Sequence, residues 1–230
     1  MMGRRLLLPA AVASTWIGLT ASCASAEQPE RTFYLALGAS DAAGIGAEPV
    51  TEGYVFRIQE ALAERVGEVP FANLGLPGAG VDAIAESLDA FLETRARPDV
   101  VTLWTGGNDL IRGDDPAAFE AELARVLGRL RAETDALVVM ANVPDLTRLP
   151  RFRAFRDPGP AREVALARIA AFNGAIRRQA ERFDVVLVDL FAYPIEDELI
   201  SGVDGFHPSS EGHRRIAEVF LAEILPALGA

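Results

Sequence analysis

Ser40 stands in the stretch LALGASDAAGIGA (35–47), between small residues and just after the first apolar run of the chain. Small residues and glycines let a backbone turn sharply and let another segment approach closely. A serine in such a turn becomes a nucleophile only if the chain also supplies a base, an acid to orient the base, and donors for an oxyanion. The sequence has only two histidines, His207 and His213, and both lie in DGFHPSSEGH (204–213). Asp204 precedes His207 by three residues in a glycine-containing loop, a spacing that lets its carboxylate reach the far ring nitrogen. One short segment therefore offers both partners that Ser40 needs. His213, early in the closing helix, reads as a capping or packing residue. For the oxyanion, Gly78 in LGLPGAG can present an unobstructed backbone N–H, Asn108 in GGND can offer a side-chain amide, and the N–H of Ser40 is the third donor.

Each of these residues taken singly is more commonly structural. A serine among glycines usually turns or caps, an Asp–His pair usually sits on a surface loop, Gly78 can simply turn the chain, and Asn108 can cap a segment. Two histidines with oxygen ligands make a thin metal set, so no metal or other cofactor is expected. The weight comes from where the residues fall along the chain.

The elements that must position them alternate. TFYLALG (32–38), PFANLG (70–75), DVVTLWT (99–105), ALVVMANV (136–143) and VVLVDL (185–190) read as strands. Helical stripes run over Tyr54–Val66, Val81–Thr94, the segment opened by Asp115-Pro116, Val164–Phe183, and the segment after Ser209-Ser210. In the last of these, Ile216, Val219, Phe220 and Ile224 are expected to point inward. Strands alternating with helices predict a parallel sheet with helices on both faces, and continuous apolar strands fit burial on both sides. Ligands of such sheets sit at the carboxyl ends of the strands. GAS, NLGLPGAG and GGND all follow strands, and the Asp204–His207 loop follows the fifth.

The four blocks resemble those of the SGNH, or GDSL-type, hydrolases, in the family's order and across most of the chain. Gly78 follows Asn73 by five, Asn108 lies in G-x-N-D, and Asp204 and His207 lie in D-x-x-H-P. The resemblance implies a three-layer, flavodoxin-like α/β fold with five parallel strands. It also implies a metal-free esterase or lipase with Ser40, His207 and Asp204 as triad and Ser40, Gly78 and Asn108 as oxyanion hole. One departure is that Ala39 stands where the family's first block has Asp, and Asp41 offers a substitute carboxylate. Because of Ala39, a non-catalytic carbohydrate-binding or scaffold protein on the same fold stays open as an alternative. A nucleophile-elbow hydrolase would draw its acid and histidine from separate loops. A dinucleotide site would need G-x-G-x-x-G, which LGASDAAGIG lacks.

The chain has 230 residues, half of them apolar, enough for one sizeable core. All 22 basic residues are arginine, and 33 acidic residues give a formal charge of −11, which argues against nucleic acid or anionic lipid as partners. MMGRR followed by LLLPAAVASTWIGLTAS reads as an export signal over residues 1–26, with a single catalytic domain over 27–230. Two exits are open: cleavage after Ala24-Ser25-Ala26, leaving Glu27 first, or acylation of Cys23 in the lipobox-like LTASC, which would be the protein's only tie to a membrane. Either way the protein is expected to be exported to the periplasm, the medium or a lipid-anchored state. The expected substrate is a small-molecule, lipid or carbohydrate ester. The arginine-rich loop 145–160, with Arg148, Arg151, Arg153, Arg156, Phe152 and Phe155, is expected to rim the pocket.

Overall fold

The computed structural model describes residues 32–155 and 159–229. Five strands form one all-parallel sheet: β1 (Tyr34–Gly38), β2 (Phe71–Gly75), β3 (Val100–Trp104), β4 (Leu137–Ala141) and β5 (Val186–Val188). Their spatial order is β2-β1-β3-β4-β5. The helices are α1 (Tyr54–Val66), α2 (Val81–Glu93), α3 (Gly107–Arg112), α4 (Pro116–Glu133), α5 (Pro160–Arg182) and α6 (Ser210–Ala227). This is the expected three-layer α/β arrangement.

The period of two along the strands sorts side chains between two cores. Leu35 and Leu37 of β1, Val101 and Leu103 of β3, and Val138 and Met140 of β4 pack beneath α2, α4 and α5. Tyr34, Ala36, Val100 and Val139 face α1 and α6, where they meet Tyr54, Ile58, Leu62 and Phe220. Both faces being covered is why these strands read as unbroken apolar runs.

Helix ends follow local chemistry. The Asp115 carboxylate accepts the N–H groups of Ala117 and Ala118, and Pro116 occupies the first turn of α4, where its missing N–H costs nothing. A first-turn proline, here without a side-chain cap, also starts α5 earlier than the apolar stripe indicates: Pro160 follows Gly159, so the helix opens at Pro160 and not at Val164. The short α3 was not evident from periodicity, having too few residues to display one. Strands are trimmed by a residue or more at most ends relative to the apolar runs, because pairing stops before the hydrophobic residues do.

The strand order reverses direction between β1 and β3, which opens a crevice at their carboxyl ends. Ser40 lies two residues beyond β1, at that crevice.

Candidate active site

The turn after β1 is built for close packing. A Cβ at Gly38 would stand 2.8 Å from that of Ala42, and one at Gly75 would stand 2.3 Å from the N of Ala43. Gly46, at φ +96°, sits under the histidine loop, where a Cβ would be 2.2 Å from the Pro208 carbonyl oxygen and 2.9 Å from the Cβ of His207. The second glycine after the serine is thus the contact surface for the loop that carries the histidine.

That loop is held from several sides. Ser201 N–H donates to the His207 carbonyl (2.8 Å), Gly205 N–H donates to Ser201 O (2.9 Å), and Ile200 bridges Pro208. Arg151, beyond β4, donates its N–H to Gly205 O (2.8 Å) and places its guanidinium over the Phe206 ring. Phe206 in turn packs edge-on against the imidazole of His207, with centroids 4.9 Å apart.

The result is a chain of contacts. His207 Nε2 lies 2.8 Å from Ser40 Oγ, and His207 Nδ1 lies 2.5 Å from Asp204 Oδ2. The other Asp204 oxygen, Oδ1, accepts the N–H groups of Phe206 (2.9 Å) and His207 (3.1 Å). Burial pushes the Asp204 carboxyl up, but the His207 ring and these two N–H groups outweigh it and hold the carboxyl below its ordinary value. Asp204 is therefore an anion across the neutral pH range, aimed at the ring nitrogen remote from Ser40.

Ser40 is itself buried, and its N–H has no hydrogen-bond partner among the described residues. The same holds for the N–H of Gly78, an exposed residue at φ +81°. Asn108 is half-buried and spends one amide hydrogen on the Ala79 carbonyl (2.9 Å). A primary amide has a second hydrogen, and Asn108 lines the same cavity as Ser40.

His213 is a packing residue, as expected. It is fully buried, stacks on Tyr54, accepts the Tyr54 N–H at Nδ1 (3.3 Å) and donates from Nε2 to Ile45 O (3.0 Å). Burial pushes its pKa down, so the ring stays neutral and ties α6 to the turn that holds Ser40.

Asp41, half-buried beside Ser40, lines the cavity. Burial pushes its carboxyl up to about 6, against the pull of His207. Ala39 lines the same cavity as a small apolar wall.

The cavity has a volume of about 540 Å³ and is mostly apolar. Trp104, Leu146, Leu190, Phe206, Ile216 and Val219 form much of its wall. Ile216 and Val219 are half-buried, packing against the core and also lining this cavity, while Phe220 and Ile224 are fully buried in the core as expected. Of the arginines of the 145–160 loop, the two whose side chains are described do not line it: Arg148 pairs with Asp145 (3.3 Å) and Arg151 braces Phe206. The side chains of Arg153, Phe155 and Arg156 lie outside the described residues, as does Cys23. Among the described residues no group of three or more His, Cys, Asp or Glu is gathered to hold a metal.

A serine, an imidazole and a carboxylate in contact at the crevice of a three-layer α/β fold form an arrangement suited to acyl transfer. Residues 36–215 match the GDSL-like lipase/acylhydrolase family, and the chain belongs to that family of ester hydrolases. It is similar to the spore germination lipase LipC of Bacillus licheniformis, with 26% identity over 198 residues, covering 80% of this chain and 92% of that protein. It is also similar to the esterase TesA of Pseudomonas aeruginosa, with 27% identity over 208 residues, covering 88% and 92%. In fold it matches the psychrotrophic esterase EstA of Pseudoalteromonas sp., solved inhibited by monoethylphosphonate, with TM-score 0.68 and 20% identity over 86% of this chain and all of that one. The binding-protein or scaffold alternative raised by Ala39 gives way to an ester-hydrolysing enzyme.

Proposed function

We propose that this enzyme hydrolyses carboxylic esters through Ser40, His207 and Asp204. The observation that carries the reading is the unbroken contact from Ser40 Oγ through both nitrogens of His207 to Asp204. Ser40 Oγ attacks the ester carbonyl carbon while His207 Nε2 takes the hydroxyl proton. The anionic Asp204 keeps the Nδ1–H tautomer and stabilises the imidazolium that forms. Collapse of the tetrahedral intermediate breaks the bond to the alcohol, which leaves with the proton from Nε2. Water then attacks the acyl-enzyme with His207 again as base, releasing the acid and restoring Ser40. The carbonyl oxygen, negative in each tetrahedral state, is received by the N–H groups of Ser40 and Gly78 and the free amide hydrogen of Asn108. The mostly apolar cavity beside Ser40 favours esters with a hydrophobic acyl or alcohol part, a lipid ester or an acylated small molecule.

The single catalytic domain is assigned to residues 27–230 and the export signal to 1–26, which lie outside the described residues. No helix among the described residues is long and apolar enough to cross a membrane. Export is proposed from the basic start and apolar run, with acylated Cys23 or free Glu27 as the mature first residue. Mass spectrometry of the N-terminus distinguishes the two, and an intact Met1 in the mature protein would refute both.

Ser40→Ala and His207→Ala, assayed on p-nitrophenyl esters, test the chemistry. Each should abolish nearly all turnover while leaving the fold intact. Wild-type rates from Ser40→Ala would overturn the assignment.

A further inference from the structure

We infer that Asp109 is a positioning residue for ester hydrolysis, fastening the loop after β2 to the loop after β3 and so fixing the relative placement of the Gly78 and Asn108 donors. The inference rests on the reading of those donors as an oxyanion hole.

The two donors come from different crossovers, and nothing in the sheet itself sets the distance between them. Two adjacent residues of α3 supply the link. Asn108 Nδ2 donates to the Ala79 carbonyl (2.9 Å), and Asp109 Oδ1 accepts the Val81 N–H (2.9 Å). Residues 79 and 81, immediately beyond Gly78, are thus held by residues 108 and 109. Val81 opens α2, and its N-cap is Gly80, which has no side chain to satisfy the free N–H groups of the first turn. Asp109 caps α2 from another helix. Arg112, one turn further along α3, reaches the same Asp109 oxygen at 3.4 Å and also pairs with Asp114 (2.7 Å).

The fit at Gly80 is close. A Cβ there would lie 2.7 Å from Asp109 Oδ1 and 2.0 Å from Arg112 Nη2, so the glycine is what admits the carboxylate to the helix start. Asp109 is buried, with its Oδ2 unpartnered among the described residues. Burial accordingly pushes its carboxyl up, against the opposing pull of the Val81 N–H and Arg112. Burying an unsatisfied oxygen is destabilising. A group retained at that cost, next to Asn108 and bonded beside Gly78, is explained by the geometry it imposes on both.

Asp109→Ala should lower kcat about 10²-fold, the scale of an ångström-sized misplacement in an active site, with KM changed by no more than about twofold. Asp109→Asn keeps an oxygen for the Val81 N–H and should restore most of kcat. Gly80→Ala, which displaces the carboxylate without removing it, should lower kcat in the same sense. All rates are taken per active site titrated with a phosphonate, so loss of folded protein does not count as loss of catalysis. A kcat for Asp109→Ala equal to wild type, with only a lowered melting temperature, overturns the inference. So does an Asp109→Asn variant as impaired as Asp109→Ala. Asn108→Ala is measured alongside: wild-type kcat there refutes the oxyanion reading itself, whereas loss there with Asp109→Ala unaffected refutes only the latch.

Discussion

His207 Nε2 sits 2.8 Å from Ser40 Oγ although the two residues are 167 positions apart in the chain. Gly46 makes this approach possible, since any side chain there would collide with Pro208. The imidazole thus meets the serine hydroxyl within hydrogen-bonding distance.

The role of Asp204 separates from its structural contacts. Asp204→Asn retains an oxygen able to accept the N–H groups of Phe206 and His207, so the loop should hold. The amide cannot accept from Nδ1–H in the same place as a carboxylate and favours the wrong tautomer. By analogy with serine proteases, kcat should fall about 10⁴-fold. Near-wild-type kcat from a folded Asp204→Asn protein would remove Asp204 from the triad.

Asp41 gives a pH signature. Its carboxyl is raised from 3.8 to about 6 in the folded protein, so the folded state binds this proton more tightly than the unfolded chain does. Its contribution to stability is therefore fully present below pH 3.8 and is lost as pH rises through about 6. Asp41→Asn should gain stability relative to wild type at pH 8 and show little difference near pH 4. If Ser40 gives up its proton to His207 as proposed, the ionised carboxylate favours the imidazolium that forms. The ratio of wild-type to Asp41→Asn kcat should approach one below about pH 6 and rise above it. Urea midpoints and kcat across pH 4–9 check both, and a ratio independent of pH contradicts the account.

Asn108 should act in the transition state alone. The oxyanion exists only there, so Asn108→Ala should lower kcat about 10²–10³-fold with a much smaller change in KM. Asn108→Asp should be at least as harmful, since a second negative charge opposes the developing one. Because Asn108 also bonds Ala79, both variants should lose some thermal stability. Lost stability with unchanged kcat per folded molecule would leave Asn108 only a structural role.

The cavity predicts a chain-length profile. Each methylene taken out of water is worth about 0.8 kcal/mol, so kcat/KM for p-nitrophenyl esters should climb by up to about fourfold per added methylene until the space is filled. Val219→Trp, from the α6 wall, should shift the optimum to shorter esters and leave the acetate ester little changed. A flat profile, or equal loss on every ester, would mean that the cavity does not receive the chain.

Much of this was legible because the determinants are local. The Val55, Ile58, Leu62 stripe, buried throughout, marks α1, whose last stripe residue Val66 is exposed, and Asp115-Pro116 marks the start of α4. Ser40, Gly78, Asn108, Asp204 and His207 stand out because each follows a strand, and a parallel sheet brings all strand ends to one edge. What stayed hidden depends on contacts between distant segments. Asp109 looks like one more surface acid until its carboxylate is found on the first N–H of α2. Ile216 and Val219 are indistinguishable from core residues by periodicity, and only the cavity left between α6 and the loops after β4 and β5 separates them from Phe220. The arginines of the 145–160 loop suggest a charged rim, yet their described members are spent on Asp145 and Phe206.

The most direct test is covalent. An alkyl fluorophosphonate leaves a tetrahedral phosphorus on the nucleophile, with its oxygen where the oxyanion would lie. Treated with it, the enzyme should lose activity in proportion to labelling. Peptide mass spectrometry should place one adduct on Ser40, and Ser40→Ala should take none. An adduct on another residue, or full activity after complete labelling of Ser40, would contradict the account.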